Sequence, residues 1–517
     1  MNHIKKIIFP LVFFLSLFLS AQPKIYYVAT NGSDSNTGTK DQPFLTITQA
    51  VSVVSTGDTI YVRGGTYSLN TTISISKDGT SNANFYLLAY TGERPILDFS
   101  SMPFNSSNRG VTLKGDYWKI RGIDFKGAGD NGMNISGSNN FIEFCSFYEN
   151  SDTGLQLSGG ASNNQIINCD SYYNYNPPSS GDPGGGGNAD GFAPKLDVGS
   201  GNYFYGCRAW QNSDDGWDGY LRPSDDVTTT LENCWCFKNG YLKDGTASFG
   251  NGNGFKLGGG DSSNVHNLSH NFILKNCLAF DNRIKGFDQN NNKGSMTLYN
   301  CTAYNNGTNY SISSPLNSGK TLIIKNSLVL GDYGSLGSFA VQEKNSWIIS
   351  YTVTPADFIN TDPTAAYGPR KPDGSLPDID FLHLASTSSL VDAGVDVGLP
   401  FIGAAPDLGA FESPWTNPTS IENISSLPTE FKLEQSFPNP FNPETVISYQ
   451  LTVDSKVSLK VYDLLGREIV SLVNEYQQAG IHNYQFAILN SQLSSGVYLY
   501  RLTAGNFTQT KKLVLLK

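Results

Sequence analysis

FIEFCSFYEN, residues 141–150, is the first of six copies of one local pattern. The other copies are QIINCDSYYN (165–174), YFYGCRAWQN (203–212), TLENCWCFKN (230–239), ILKNCLAFDN (273–282) and the shorter LYNCTAYNN (298–306). In every copy an Asn lies five residues after the Cys. β-rich segments that recur at such a period are typical of a solenoid, in which each coil stacks on the one before it.

A second register lies downstream of each Cys, where a Gly precedes a large apolar residue. These pairs are Gly154-Leu155, Gly191-Phe192, Gly216-Trp217, Gly254-Phe255 and Gly286-Phe287. The Gly follows the Cys by nine residues in three coils, and by 22 and 20 residues in the other two, which carry insertions near 175–187 and 240–251. Without the insertions the repeat is 22 to 27 residues long, and an earlier coil fits it with Ile123 in the Cys position and Gly132-Met133. The pattern therefore predicts stacked coils with two loops on one side.

The seven cysteines have two interpretations. Stacking places equivalent residues about 4.8 Å apart along a solenoid, so a row of reduced, buried Cys is an expected product of repetition. Disulfides are the alternative in an exported protein. The shared register of six of the seven cysteines favours the reduced row.

The rest of the chain divides into recognisable parts. Residues 24–65 suggest a strand, an amphipathic helix and a strand, and a helix there would cap the open end of the solenoid. We expect a β-helix domain over 22–413, closing near PDLGAFES (406–413), then a linker over 414–428. Alternating strands over 429–517 indicate a small β-sandwich. With only 15% charged and 12% aromatic residues, the fold class is all-β.

The N-terminal residues and the net charge limit where the protein can be located and which partners it can bind. Met1–Ala21 places lysines ahead of an apolar run and predicts a signal peptide, while no other run is long enough to span a bilayer. We expect a monomer that is secreted or held at the cell surface. A net charge of −10 without a dense Lys/Arg cluster argues against nucleic acid. An acidic ligand would need a bound cation or a few local Lys/Arg residues.

Four carboxylates are expected to meet on two neighbouring coils. Asp190 and Asp215 immediately precede the Gly of their coils, and Asp214 and Asp218 flank Asp215 in NSDDGWDGY. Crowded carboxylates repel each other unless a cation lies among them, and hard oxygen ligands favour Ca²⁺. Ordinary Asp-Gly turn chemistry is the alternative for any single pair. Four stacked carboxylates predict a metal site.

A lysine follows one coil later in the same register. Lys256 stands two residues after its Gly, as Asp218 does. Beside a cation and partly buried, an amine has a lowered pKa and can act as a base. A salt bridge between Lys256 and Asp218 is an equally good interpretation of the spacing.

These residues carry a resemblance to a known family. NADGFAPKL, GCRAWQNSDDGWDGY, GNGNGFKLGG and HNLSHNFILKNCLAFDNRIKGFDQNNN resemble the family 9 polysaccharide lyases over about residues 24–413. The resemblance implies a right-handed parallel β-helix that cleaves a pectin-type acidic polysaccharide by β-elimination. It further implies Lys256 as the Brønsted base and, as Ca²⁺ ligands, Asp190, Asp214, Asp215 and Asp218.

The C-terminal region carries a second resemblance. FPNPFNP, VYDLLGREI and SSGVYLYRL are similar to the C-terminal sorting domain of type IX secretion. The resemblance implies that residues 429–517 are an export signal recognised by the type IX machinery, with no part in catalysis.

Three basic residues lie near the acidic cluster in sequence, and we expect them to bind substrate carboxylates: Lys195, Arg222 and Lys285. Ordinary surface charge is the alternative for each. Tyr220, Trp210 and Trp217 are candidates for stacking on sugar rings, although Trp217 shares the register of the core.

Two other functions remain open at the level of sequence. An inverting glycoside hydrolase on the same architecture would also cluster carboxylates, but it gives Lys256 no role and requires no metal. A glycan-binding solenoid would use calcium for stability alone.

Overall fold

The computed structural model describes residues 22–349, 352–416 and 430–515, except 437–438, 442–443, 454, 478–479 and 488–493. The expected signal peptide and most of the expected linker lie outside these residues. The chain divides near residue 417 into two compact units.

The first unit is a parallel β-helix of three sheets, with one strand of each sheet in each complete coil. Sheet 1 has twelve strands: Ile25–Val28, Thr59–Val62, Phe85–Ala89, Trp118–Arg121, Phe141–Glu143, Gln165–Ile167, Asn202–Tyr205, Val227–Glu232, His270–Lys275, Met296–Tyr299, Leu322–Lys325 and Val341–Glu343. Sheet 2 has ten: Gly65–Ser68, Pro95–Asp98, Asp124–Lys126, Ser146–Tyr148, Asp170–Tyr172, Arg208–Trp210, Trp235–Phe237, Leu278–Phe280, Thr302–Tyr304 and Leu328–Leu330. Sheet 3 also has ten: Ile73–Ile75, Val111–Leu113, Met133–Ile135, Leu155–Leu157, Phe192–Pro194, Trp217–Asp218, Phe255–Lys256, Lys285–Asp288, Thr308–Ile312 and Gly334–Leu336.

Aromatic side chains stack in the interior behind sheet 3. Trp217 is fully buried, and its ring lies 4.9 Å from that of Phe192 and 5.0 Å from that of Phe255. Because successive side chains of a strand point to opposite faces, the residue after each of these aromatics lies on the outer face. The inward row therefore fixes which polar residues line the outside of sheet 3.

An asparagine ladder joins the coils at the turn between sheets 2 and 3. Each Nδ2 donates to the Oδ1 of the Asn on the next coil, at 2.8 to 3.0 Å, through Asn150, Asn174, Asn212, Asn239, Asn282 and Asn306. Buried amides need such partners, and stacking supplies them. The repeated Asn of the sequence is thus a structural feature.

The glycine register exists because of this ladder. A Cβ on Gly216 would lie 2.8 Å from Asn239 Nδ2 and 2.6 Å from the carbonyl oxygen of Gly254. The same clash with the Asn of the following coil recurs at Gly132, Gly154, Gly191, Gly254 and Gly286. The Asn and Gly rows therefore occur together.

All seven cysteines are free and buried, which confirms the expectation of a reduced row. Six of them lie between sheets 1 and 2, and their thiols donate to backbone carbonyls, as Cys207 does to Ile166 at 3.3 Å. Burial raises the pKa of six of the seven thiols, those of Cys145, Cys169, Cys207, Cys234, Cys236 and Cys277, well above the ordinary value. They act as small core side chains.

The capping helix is present at the N-terminal end. It spans Ile47–Val53, begins after Thr46, whose hydroxyl accepts from the Gln49 amide, and buries Ile47, Ala50 and Val51. It covers the first coil, as the sequence predicts. A short turn, Asp261–Asn264, connects Phe255–Lys256 of sheet 3 to His270–Lys275 of sheet 1, and its last three residues have left-handed backbone angles.

The coils end earlier than the sequence predicts. The last coil strand is Val341–Glu343, and residues 355–413 pack against the outer side of sheet 2 instead of adding further coils. This segment contains two short 3-10 helices, Pro355–Asp357 and Pro363–Tyr367. It is anchored by Arg370, which donates at 2.7 Å to Asp170, and Arg208 holds the same carboxylate at 2.9 Å. These two guanidiniums outweigh burial and lower the pKa of Asp170 to about 2.

The second unit consists of two antiparallel sheets around their own apolar core. One sheet contains Lys432–Leu433, Glu444–Leu451 and Gly480–Ala487; the other contains Ser455–Tyr462, Glu468–Gln477, Gly496–Ala504 and Phe507–Leu515. No helix among the described residues is long and apolar enough to cross a bilayer.

Candidate metal and catalytic site

The acidic residues of neighbouring coils stack as the sequence predicts. Phe192 pairs with Trp217 in sheet 3, which places Asp190 and Asp215, each two residues earlier, on adjacent coils. One coil further on, Asp218 pairs directly with Lys256. The repeat therefore brings the predicted carboxylates and the predicted amine together on the outer side of one sheet.

Backbone amides hold the side chains that precede the glycines. The Asp190 amide donates to Thr153 Oγ1 at 3.4 Å, and the Asp215 amide donates to Asp190 Oδ1 at 3.2 Å. The Asn253 amide then donates to Asp215 Oδ1 at 2.9 Å. Each Asp thus has one oxygen fixed by the next coil, and its second oxygen is available to the cluster.

Three of the carboxylates meet closely and are almost completely buried. Asp190, Asp214 and Asp215 each place one oxygen within 4.8 Å of the others. Asp218 joins them through two lysines: Lys256 Nζ lies 3.0 Å from Asp215 Oδ2 and 3.3 Å from Asp218 Oδ1, and Lys195 Nζ lies 2.6 Å from Asp190 Oδ2 and 3.5 Å from Asp218 Oδ2. All six side chains form one charged cluster.

The environment pushes the carboxyl pKa values apart. Burial is the largest influence on all four and, with the neighbouring carboxylates, it raises the pKa of Asp190 to about 7. The pKa of Asp214 is raised well above its ordinary value by burial and by Asp215, and that of Asp215 is raised by burial despite Lys256. Only Asp218 has a lowered pKa, because Lys256 and Lys195 outweigh its burial.

The charge of the cluster suits one divalent cation. Four carboxylates and two ammonium groups give −4 + 2 = −2 when all are ionised. Asp215 Oδ2 is buried and, although Lys256 is close, no group within the described residues donates a well-directed hydrogen bond to it. Buried anionic oxygens without donors are costly, and oxygen-only donor sets suit Ca²⁺ better than Zn²⁺. The residues present therefore fit a calcium ion.

Lys256 differs from the expectation of a lowered pKa. Burial lowers its pKa, but the attraction of Asp215, Asp218, Asp214 and Asp190 is stronger, and the net pKa lies well above the ordinary value. Among the protein groups alone, Lys256 is an ammonium. A lysine base here requires a change in the charge around it.

The three predicted substrate-binding cations have different surroundings. Lys195 is buried between Asp190 and Asp218, and these carboxylates raise its pKa despite the opposing effect of burial. Arg222 is exposed and pairs with Asp261, which also accepts from the Tyr220 hydroxyl. Lys285 is one-third exposed and lies 2.9 Å from Asp288. Lys195 therefore belongs to the cluster itself, while Arg222 and Lys285 have access to solvent.

The two insertions meet beside Asp214. The Asn251 amide donates to Asp214 Oδ1, and a Cβ on Gly250 would lie 2.3 Å from the carbonyl oxygens of both Gly186 and Ser213. The loop 240–251 therefore touches both the loop 175–187 and the backbone of the acidic coil. It forms one wall of the site.

Sequence reasoning missed several supporting groups. Thr153 contacts Asp190, and the Asn253 amide donates to Asp215. Both residues immediately precede the Gly of their coils, as Asp190 and Asp215 do, and this shared position could have indicated their contact with the cluster. His270 gave none: its ring is buried, with Nδ1 2.8 Å from the Gly219 carbonyl oxygen and Nε2 2.8 Å from Thr229 Oγ1. Burial lowers its pKa to about 4, so a neutral imidazole supports the backbone next to Asp218.

Of the three aromatic residues predicted to stack on sugar rings, one lines the site. Trp217 is in the core and Trp210 stacks between Tyr172 and Phe237 on sheet 2, so neither lines the site. Tyr220 does, because its ring centre lies 6.0 Å from Lys256 Nζ.

Comparisons with known proteins agree with this architecture. Residues 26–325 match the family described as Pel9A-like, right-handed β-helix region, and residues 435–516 match the secretion system C-terminal sorting domain. Pectate lyase L of Dickeya chrysanthemi is 38% identical over 399 residues, which cover 75% of this chain and 90% of that protein.

Two solved structures are also similar. The crystal structure of pectate lyase Pel9A has a TM-score of 0.68 and 38% identity, covering 76% of this chain and 97% of that one. A rhamnogalacturonan lyase has a TM-score of 0.61 and 30% identity, covering 70% and 96%. The predicted right-handed parallel β-helix and the predicted sorting domain are both confirmed.

Proposed function

Because the chain belongs to the Pel9A-like right-handed β-helix family, with a secretion-system sorting domain behind it, we propose that it is an exported, calcium-dependent pectate lyase. It is a polysaccharide lyase, and polygalacturonate-type chains are the proposed substrate. The observation that carries the proposal is a lysine amine lying between two carboxylates of a buried cluster whose net charge is −2.

Four aspartates would hold the calcium ion: Asp190, Asp214, Asp215 and Asp218. Backbone amides already orient the first three, since each accepts from the amide of a following coil or of the loop 240–251. Calcium, when bound, would supply positive charge opposite a uronate carboxylate as negative charge develops at the neighbouring carbon.

Lys256 is the proposed base, which takes the C5 proton of the uronate. Its Nζ is held by Asp215 and Asp218, and attraction by these carboxylates is what keeps it protonated. Where that attraction is neutralised, burial becomes the dominant influence and favours the neutral amine. The electron pair left by the C5 proton forms the C4–C5 double bond, and the C4–O bond breaks with its electrons on the leaving oxygen, which takes up a proton from water. The products are a 4,5-unsaturated sugar and a shortened chain with a free hydroxyl.

The remaining cations take separate roles in the proposal. Lys195 balances charge between Asp190 and Asp218 and positions them. Arg222 and Lys285, which reach solvent near either side of Lys256, bind carboxylates of neighbouring uronates. Their existing partners, Asp261 and Asp288, hold each cation in place.

The location follows from the C-terminal unit. A sorting domain of this kind supports delivery to the cell surface or the medium, after passage of the first membrane with Met1–Ala21 as signal peptide. We propose that the β-helix acts as a monomer, since one chain supplies every group of the site.

Chelation separates this function from its alternatives. The protein is incubated with polygalacturonate, with calcium or with excess chelator, and both ultraviolet-absorbing unsaturated ends and reducing ends are measured. A lyase yields both kinds of end in equal number and only with calcium. A hydrolase yields reducing ends alone and tolerates chelation, whereas a glycan-binding solenoid yields neither.

A further inference from the structure

The outer face of sheet 3 carries a continuous row of side chains that runs through the site. Strand pairing places these residues in register on successive coils: Thr112, Asn134, Gln156, Ala193, Asp218, Lys256, Asp288 and Ser311. Neighbouring coils are about 4.8 Å apart, so the row, which is polar except at Ala193, forms a straight floor along the helix axis. An extended polymer that reaches Lys256 would lie along it.

Arg109 places a guanidinium on this floor, well away from the acidic cluster. Its Nε lies 3.1 Å from Asp130 Oδ2 and its Nη1 lies 3.4 Å from Asn134 Oδ1. Asn134 is fixed in turn, since its Nδ2 donates to Ser158 at 3.0 Å. Two of the five N–H groups are used in these side-chain contacts, and 37% of the Arg109 side chain is exposed.

The distance from the reacting position follows from the register. Asn134 is three coils from Asp218 and four from Lys256, which corresponds to about 14 Å and about 19 Å along the axis. On the opposite side of Lys256, the Lys285 amine lies 2.9 Å from Asp288, which is one coil beyond Lys256. Lys285 therefore lies close to Lys256 at one end of the floor, whereas Arg109 lies far from Lys256 at the other end.

We propose that Arg109 forms a distal subsite that binds a carboxylate of the polyuronate several sugar units from the cleaved bond. This inference rests on the proposed function and deepens it, because it predicts preference for long chains. A guanidinium offers paired N–H groups that match a carboxylate, and Asp130 and Asn134 hold it in place for that contact. A chain too short to span the distance gains nothing from Arg109.

A purely structural role for Arg109 predicts something different. Asp130 is nearly buried and lies in the register of Asp152 on the next coil, where the Asn131 amide group donates to Asp152 at 3.3 Å. If Arg109 only neutralised Asp130, its loss would lower stability and affect substrates of every length alike. Chain-length dependence distinguishes the two roles.

The test compares Arg109→Ala and Arg109→Lys with Arg121→Ala. Arg121 is the matched control, an exposed arginine of sheet 1 that pairs with Glu143 on the next coil. We expect Arg109→Ala to raise KM for long polygalacturonate about tenfold with kcat unchanged, and to leave the shortest oligogalacturonates that are cleaved unaffected. Arg109→Lys should recover part of the loss, and Arg121→Ala should match the unchanged protein.

Binding of polygalacturonate in calcium, measured by calorimetry with Lys256→Ala added to every variant so that no chain is cleaved, provides a readout that needs no turnover. A weaker affinity in Arg109→Ala for long chains alone supports the distal subsite, even if the unchanged protein cleaves nothing and the proposed function fails. Equal effects on long and short chains, or no effect on either, in folded variants with an unaltered melting temperature would overturn the inference.

Discussion

In the proposed mechanism, a single proton on Lys256 separates the free cluster from one that can catalyse elimination. The carboxylates proposed to bind calcium are the same groups that stabilise the Lys256 ammonium, so the two positive charges would compete. Binding of a metal to groups that hold protons releases those protons. The proposal therefore couples calcium binding to the ionisation of Lys256.

This coupling predicts that calcium affinity rises with pH. Burial and neighbouring carboxylates raise the pKa of Asp190 to about 7, so Asp190 is protonated in acid and must ionise to bind the ion. At pH values below about 7, each rise of one pH unit should lower the dissociation constant for calcium roughly tenfold for each proton released. Calorimetric titration with calcium, in buffers of different ionisation enthalpy, measures both quantities. An affinity that is constant through this range, without proton release, would contradict the account.

His270 predicts a second pH effect, on stability. Its pKa is lowered from 6.5 to about 4 by burial, so the unfolded chain takes up the proton first as the pH falls. The contribution of His270 to the free energy of unfolding is therefore fully present above about pH 6.5 and is lost progressively as the pH falls to about 4. The loss is at most about 3 kcal/mol. His270→Gln should lose less free energy of unfolding on acidification than the unchanged protein. Parallel curves for the two proteins, from denaturant unfolding at each pH, would show that this histidine is not the cause.

At the scale of the repeating element, the Asn and Gly rows depend on each other. Gly216 follows Asp214 and Asp215 on the same coil. Gly216→Ala would bring a methyl group too close to Asn239 and to the Gly254 carbonyl oxygen on the next coil. We expect a loss of about 1 to 3 kcal/mol in the free energy of unfolding. Gly181→Ala is the control, because a Cβ there meets nothing within 4 Å. Equal stability of the two variants would mean that the glycine row has another cause.

Sequence predicted the elements that repeat and missed those that do not. Cys145 and its successors, with their Asn and Gly partners, define each coil, and the register places Asp215 beside Asp190 without knowledge of the fold. The role of Lys195 was not visible in this way, because its contact with Asp190 depends on side-chain direction. The packing of 355–413 on sheet 2 depends on Arg370 reaching Asp170, 200 residues earlier in the chain, and no periodic pattern marks such a pair.

At the scale of the whole molecule, the chain consists of a catalytic β-helix and a sorting domain with separate cores. Every residue proposed for the site lies in the first. The protein lacking residues 418–517 should therefore keep kcat/KM on polygalacturonate within about twofold, and keep the melting transition of the β-helix. Kinetics and calorimetry on the two forms measure this. A large loss of activity in a folded, truncated protein would assign the second unit a part in catalysis.

The central claim is that Lys256 acts as a base beside a calcium ion held by four aspartates. The direct test is the rate at which unsaturated ends form from polygalacturonate with saturating calcium, for the unchanged protein and for Lys256→Ala, after calorimetry has shown that both bind calcium. The account predicts rapid formation by the unchanged protein, none after chelation, and a loss of at least about a thousandfold in kcat for Lys256→Ala. A variant that binds calcium and still forms unsaturated ends at a similar rate would contradict it.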